Sequence, residues 1–411
     1  MSRDRLRRTR LGAPAGALAL VVCVFTGAAG ADRRAPAPAP SASPAVTTPS
    51  ASASASSGSG PSPGPTPSAS IGKGEGTLQV LAFQGQVEYG AAVSDANWVS
   101  PFEKLTGCRV SRLDRVQTSE EMADRLRGNS YDVVSPSPEL AGRLMAEGAV
   151  APVDTALLRS YKDIPKRLRE LPAVRRKGKV YGVPYLWGFT RVLREGDAPG
   201  GPDALYGTGA VAIRDSPLGF ADAALALRET RPELRIKDPF QLTPAQLDAA
   251  VELLAARDGR DRVYWEDGLE VIQALSAGQV RLAQALPYHL DLFRRAGRPV
   301  KAVDAPATTG WVGSWMLGAG ATSPNCAYRW LDWVGSADVQ GSAAAWTGLA
   351  PANPEACDGD ARRICEIYHV RDAAWLRRVL FAVRPARDCG GSGGECTDYT
   401  DWEKRWHDLV R

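Results

Sequence analysis

A chain of 411 residues is longer than one ordinary hydrophobic core accommodates, so two packed units with accessory segments are expected. The formal net charge of +4 is concentrated at the start: within residues 1–34 seven arginines stand against two aspartates, a surplus of five, which leaves the remainder at −1. A nearly neutral body lacks the basic patch that nucleic-acid binding requires, which argues against that class of partner.

The N-terminus has an Arg-rich start, an apolar run from Leu11 to Ala29 and a small-residue exit at Ala29-Gly30-Ala31. These are the parts of a secretory signal over residues 1–31, so export is expected. Cys23 follows Leu20-Val21-Val22 in a segment similar to a lipoprotein box, with Val22 where such a box carries a small residue. It is either a lipid-anchor site or an ordinary apolar residue of the signal. Residues 32–76 are Pro, Ala, Ser, Thr and Gly with almost no large apolar side chain, a composition that cannot bury enough surface to fold and reads as a disordered, extended tether.

Beyond the tether, Leu78–Phe83 reads as a buried strand, Asn97–Leu105 as a helix and Arg109–Leu113 as a second strand. Asp132–Val134 is a further strand between helical segments at Met122–Leu126 and Leu140–Met145. This β/α alternation predicts a parallel sheet with helices on its faces. In GKVYGVPYLWG (Gly178–Gly188), Val180–Val183 has strand character and Pro184 removes a backbone donor, so regular pairing is expected to stop there. Tyr185 and Trp187 follow at once, suited either to the wall of an interdomain pocket or to a core. Helical spacing recurs at Phe220–Arg228, Pro244–Ala256 and Leu269–Ala277, with Thr243 as N-cap before Pro244. Cys326–Val334 interleaves aromatics and leucine as a helix packing on a sheet does. The tail after Asp358, rich in Trp and Cys, reads as helices clamped onto a lobe.

Catalytic and metal motifs are missing from the sequence. His289, His369 and His407 are widely separated, and there is no HExxH, GxSxG or P-loop pattern; Gly72–Gly76 has no strand before it and reads as linker. No catalytic residue, metal or cofactor is therefore expected. Apart from Cys23 there are six cysteines and no CxxC pair, which in an exported chain favours disulfides. Cys357 with Cys365, and Cys389 with Cys396, are close enough for small loops.

Several segments in fixed order carry a family resemblance: LQVLAF (Leu78–Phe83), PFEKLTGCRV (Pro101–Val110), YDVVSPS (Tyr131–Ser137), GKVYGVPYLWG, RPELRIKDPFQLTPAQL (Arg231–Leu247), TGWVGSWML (Thr309–Leu317), PNCAYRWLDWV (Pro324–Val334) and GLAPANPEAC (Gly348–Cys357). The chain after residue 77 resembles the extracellular solute-binding proteins of ABC importers, of the spermidine/putrescine-binding type. The resemblance implies an α/β, periplasmic-binding-protein-like fold in which two lobes joined by hinge strands enclose a ligand cleft. It places residues 77–187 and 311–349 in the first lobe, and 188–310 with the tail 350–411 in the second. It also implies Cys108–Cys326 as a third disulfide at the base of one lobe, and as partners a small-molecule solute and a membrane ABC permease, the protein being monomeric. Two other classes remain open: a secreted enzyme with dispersed catalytic residues, and a tethered sensory module without a transporter.

The candidate ligand residues are Gln86, Glu88, Asp215, Tyr288 and Trp311, placed by the resemblance, with Trp187 beyond its strand and Ser135 and Ser137, which lie just past a strand beside Pro136 and Pro138 and either offer hydroxyls to a ligand or shape a turn. Trp311 falls on the family's stacking tryptophan, whereas Gln86 replaces a usual aromatic, Gly313 the amine-binding aspartate, Leu218 a carboxylate and Leu286 another aromatic. A buried ammonium needs charged partners. Polyamines are therefore expected to bind weakly, and a neutral or zwitterionic solute stacked on Trp311 is favoured, with Asp215 or Glu88 meeting any amine.

Overall fold

The computed structural model describes residues 70–410, apart from 92, 95, 202, 208, 257–261 and 390–393. The signal, Cys23 and the tether up to residue 69 lie outside the described residues. The strands begin with β1 (Thr77–Phe83), β2 (Arg109–Val116), β3 (Val133–Val134) and β4 (Val150–Ala151), then a small hairpin of β5 (Arg175–Arg176) and β6 (Lys179–Val180). Next come β7 (Gly182–Phe189), β8 (Arg191–Glu195), β9 (Val211–Arg214), β10 (Arg262–Trp265), β11 (Leu282–Ala285) and β12 (Val300–Ala302). The last are β13 (Thr308–Gly318), β14 (Ala350–Pro351) and β15 (Val379–Phe381).

Besides the β5-β6 hairpin, the described residues form two larger sheets, one for each lobe. The first runs β14-β7-β13-β3-β1-β2 with β4 and β15 also on β13; the second runs β10-β9-β11-β8-β12. β1 is parallel to β2 and β3, and β9 to β10 and β11, as helical returns over a sheet face require. Local sequence sets several of these returns. Thr118 and Glu121 form a capping box before helix Ser119–Leu126, and Thr243 with Gln246 does the same before Pro244–Ala255. Gly107, left-handed at φ 71°, ends the helix Val99–Thr106 and turns the chain into β2.

In the first core Trp330 of helix Pro324–Val334 packs edge-on against Phe102 and Trp315, with ring centroids 5.0 and 5.3 Å apart. In the second, Phe220 meets Trp402 and Trp406 of the last helix, Tyr399–Val410, at 5.9 and 5.4 Å. The chain passes between lobes at Thr190, before β13 and after β15, where Thr190 and Ala382 donate backbone hydrogen bonds to Thr309 and Gly310. Cys108–Cys326, Cys357–Cys365 and Cys389–Cys396 are all bonded.

Three sequence expectations are corrected. The strand does not stop at Pro184: β7 continues to Phe189, because the missing donor falls at a register shift where three steps of β7 oppose two of β13, from Val312 to Ser314. Residues 350–381 join the first lobe, not the second. β14 pairs with β7 and β15 with β13, while Tyr368 and Phe381 pack on Trp187 at 5.9 Å each, so this stretch belongs to the first core and meets the second lobe through surface pairs such as Arg363 with Asp291. Finally, Gly72–Gly76 is not free linker. Glu75 accepts the backbone N–H groups of Asn325 and Cys326 (3.0 and 2.9 Å) at the N-terminus of helix Pro324–Val334, and Gly74 lies so close to the Cys108–Cys326 sulfurs that a Cβ there would be 2.7 Å from Cys108 Sγ.

Candidate ligand cleft

The cleft opens where the carboxyl ends of both sheets meet above the crossing strands, and its volume is about 1160 Å³. The first lobe lines it with the loop after β1 (Phe83–Gln86), the segment Pro136–Glu139 after β3, and Trp346 from helix Ala337–Thr347. The second lobe contributes Arg214–Leu218 after β9, Glu266–Gly268 after β10, and Leu286 and Tyr288 after β11. Thr190, Thr309 and Trp311 form the floor.

The floor is built around Trp311. Opposite it in β7 stands Gly188, and a Cβ there would be 2.6 Å from Trp311 Cζ2, so only glycine lets the indole lie on this strand. The Arg214 guanidinium sits 4.8 Å from the Trp311 ring centre and 5.8 Å from that of Trp265. The Arg214 backbone N–H donates to Gln284 Oε1 (2.8 Å), and Gln284 Nε2 donates to Asp222 Oδ2 (2.8 Å). Asp222 Oδ1 also accepts the hydroxyls of Thr190 (2.7 Å) and Thr309 (2.6 Å), one from each crossing strand. Burial raises the pKa of Asp222 despite these hydrogen bonds, and burial lowers that of Arg214.

The sequence-expected residues divide. Gln86, Ser137, Asp215, Tyr288 and Trp311 line the cleft together. Gln86 Oε1 is buried without a hydrogen-bond partner beside Gly313, where an added Cβ would be 3.8 Å from Gln86 Nε2. Ser137 Oγ accepts from Ser119 (2.7 Å) and donates to Glu139 Oε1. Asp215 accepts the Trp406 indole N–H at 2.6 Å, so the last helix already occupies one of its oxygens. Burial, with the Asp267 charge nearby, pushes the Tyr288 hydroxyl up to about 12.

The other three are not among the lining residues. Trp187 is a core side chain donating to Pro351 O (3.0 Å): Leu186 faces the cleft, and strand alternation turns Tyr185 and Trp187 to the opposite face. Glu88 turns back to within 3.9 Å of Arg115, because its carbonyl accepts the N–H groups of Trp98 and Val99 and ties that part of the loop to a helix start. Ser135 is buried, its hydroxyl unpartnered, with its N–H on Leu81 O. The sequence reading passed over Arg214, Asp222, Trp265 and Trp346 as cleft residues. For Arg214 a signal existed: it ends the strand Val211–Arg214, one residue before Asp215, where α/β sheets present ligand-binding groups.

Residues 97–362 match the family of bacterial extracellular solute-binding proteins. The chain belongs to that family. Solved structures of the same fold agree with the two-lobe architecture of this solute-binding protein. A putative spermidine/putrescine ABC transporter protein from Listeria monocytogenes aligns at TM-score 0.62 and 16% identity, over 82% of this chain and 99% of that one. The spermidine/putrescine substrate-binding protein PotD of Streptococcus pneumoniae, in complex with calcium and HEPES, aligns at 0.62 and 14%, over 82% and 99%. The Atu4243 GABA receptor aligns at 0.62 and 18%, over 82% and 98%. At such identities the likeness carries the fold and leaves the ligand open.

Proposed function

We propose that this solute-binding protein is exported by its N-terminal signal, captures a small polar solute by closing its two lobes, and as a monomer delivers it to the permease of an ABC importer. The observation that carries the reading is the cleft itself, lined from both lobes above three chain crossings, with Trp311 on its floor, Arg214 stacked on that indole and Gln86 Oε1 without a partner. Three disulfides suit an oxidising, extracellular setting. Two features of the floor disfavour a polyamine, glycine at position 313 and the cation Arg214 on Trp311, although the lining also carries acids, among them Asp215, Glu266 and Asp267. Solutes named for proteins of this fold include GABA as well as polyamines, so the scaffold is compatible with a ligand carrying both signs.

Small-angle scattering of the exported protein, with and without solutes from an amine, amino-acid and sugar panel, tests the reading. A binding solute is expected to reduce the radius of gyration. No binding across the panel, or binding with the two lobes unmoved, counts against capture by closure.

A further inference from the structure

Arg214 is the only cationic side chain touching the stacked floor of the cleft among the described residues, and its guanidinium makes no hydrogen bond or ion pair. The acids that influence it, Glu139 and Asp222, act through space; Asp222 is engaged by Thr190, Thr309 and Gln284. A recessed charge without a counter-ion is costly unless a ligand supplies one. Two indoles hold the planar fork in place, and such a fork matches the two oxygens of a carboxylate. Across the cleft, on the first lobe, Glu139 lines the wall with Oε2 unpartnered.

Resting on the solute-capture reading, we infer that Arg214 is the anion-recognising residue of the cleft, and that the solute is an amino-acid-like zwitterion whose carboxylate meets Arg214 and whose amine meets Glu139. This differs from the sequence expectation, which gave any amine to Asp215 or Glu88. Asp215 directly follows Arg214 on the same lobe and has one oxygen on Trp406, so it cannot draw the two lobes together, and Glu88 lies outside the lining. Lobe closure then has an electrostatic basis, because the two ends of one ligand join groups on opposite lobes.

The test is calorimetry on the full-length exported protein with matched four-carbon probes, putrescine, 4-aminobutanoate and succinate, together with the twenty amino acids and glucose. A zwitterion is expected to bind tightest, and Arg214→Gln to weaken it by about 30-fold or more, the size expected when one side of a desolvated charge pair is removed. Arg214→Lys, which keeps the charge but not the fork, is expected to fall between. Ligand-free Arg214→Gln is expected to melt at or above the wild-type temperature, since an unpaired recessed charge is gone; a lower melting temperature assigns Arg214 to the framework and overturns the inference. Glu139→Gln is expected to reduce discrimination between the tightest zwitterion and succinate, and unchanged discrimination overturns the amine assignment. Tightest binding of putrescine or glucose, or zwitterion binding unaltered by Arg214→Gln, overturns the inference while leaving solute capture intact. A wild-type protein that binds nothing in the panel overturns solute capture first, and this inference with it.

Discussion

Replacing both Cys108 and Cys326 with alanine is expected to be the most destabilising of the three possible disulfide deletions. The bond closes a loop with a sequence separation of 218, whereas Cys357–Cys365 and Cys389–Cys396 span 8 and 7. In the chain-entropy picture the long loop restricts the unfolded chain by about 5 kcal/mol and each short one by about 2.5 kcal/mol at 25 °C. Both sulfurs of the long bridge are fully buried, under Gly74 and beside helix Pro324–Val334, so their loss also opens a small void. The bridge ties the start of β2 to the helix after β13, two segments of one lobe distant in sequence. Urea unfolding followed by tryptophan fluorescence reads the ranking directly, at constant slope with denaturant. A loss under about 1 kcal/mol for the long bridge, or short-bridge variants that lose as much as it does, would refute the argument from loop length.

Gly188→Ala is expected to cost about 1–3 kcal/mol and to weaken solute binding by displacing Trp311, because its methyl would lie 2.6 Å from the indole; calorimetry beside a thermal melt separates the two effects. Asp222→Ala orphans Gln284 Nε2 and removes the acceptor shared by Thr190 and Thr309, so a loss of about 3 kcal/mol in urea is expected, with altered lobe closure in scattering. For Glu75, burial pushes the pKa up, but the backbone N–H groups of Cys326 and Asn325 outweigh it and hold the carboxyl below 4.5. Its stabilisation is therefore present at neutral pH and disappears as pH falls through the lowered folded value, so Glu75→Ala is expected to lose about 1 kcal/mol at pH 7 and to converge with wild type in acid. Thiol labelling of the native exported protein should find no free thiol among Cys108, Cys326, Cys357, Cys365, Cys389 and Cys396; labelling of any one at full occupancy contradicts the bonded pairs.

Features governed by short-range chemistry were legible in the sequence. The β/α alternation from Leu78 onward, the Thr243 cap with Pro244, and the burial of helix Pro324–Val334 depend on residues a few positions apart. Resemblance in the order of short segments added the two-lobe plan and Trp311 on the floor. The cleft was read less completely, because membership in it depends on which way each side chain turns. Trp187 and Leu186 are neighbours in sequence, yet pleating puts one in the core and the other in the cleft. Glu88 reads as a ligand acid until the loop ties itself to Trp98 and Val99, and Glu139 gains its place opposite Arg214 only when chain ends from two sheets meet. Arg214, Trp265 and Trp311 span about a hundred positions, and no local pattern records that they stack. Composition, periodicity and caps determined which elements form, since their energies are local. Which charges stand unpaired in the cleft was decided by the tertiary structure, since pairing depends on distances between groups that the chain brings together only on folding.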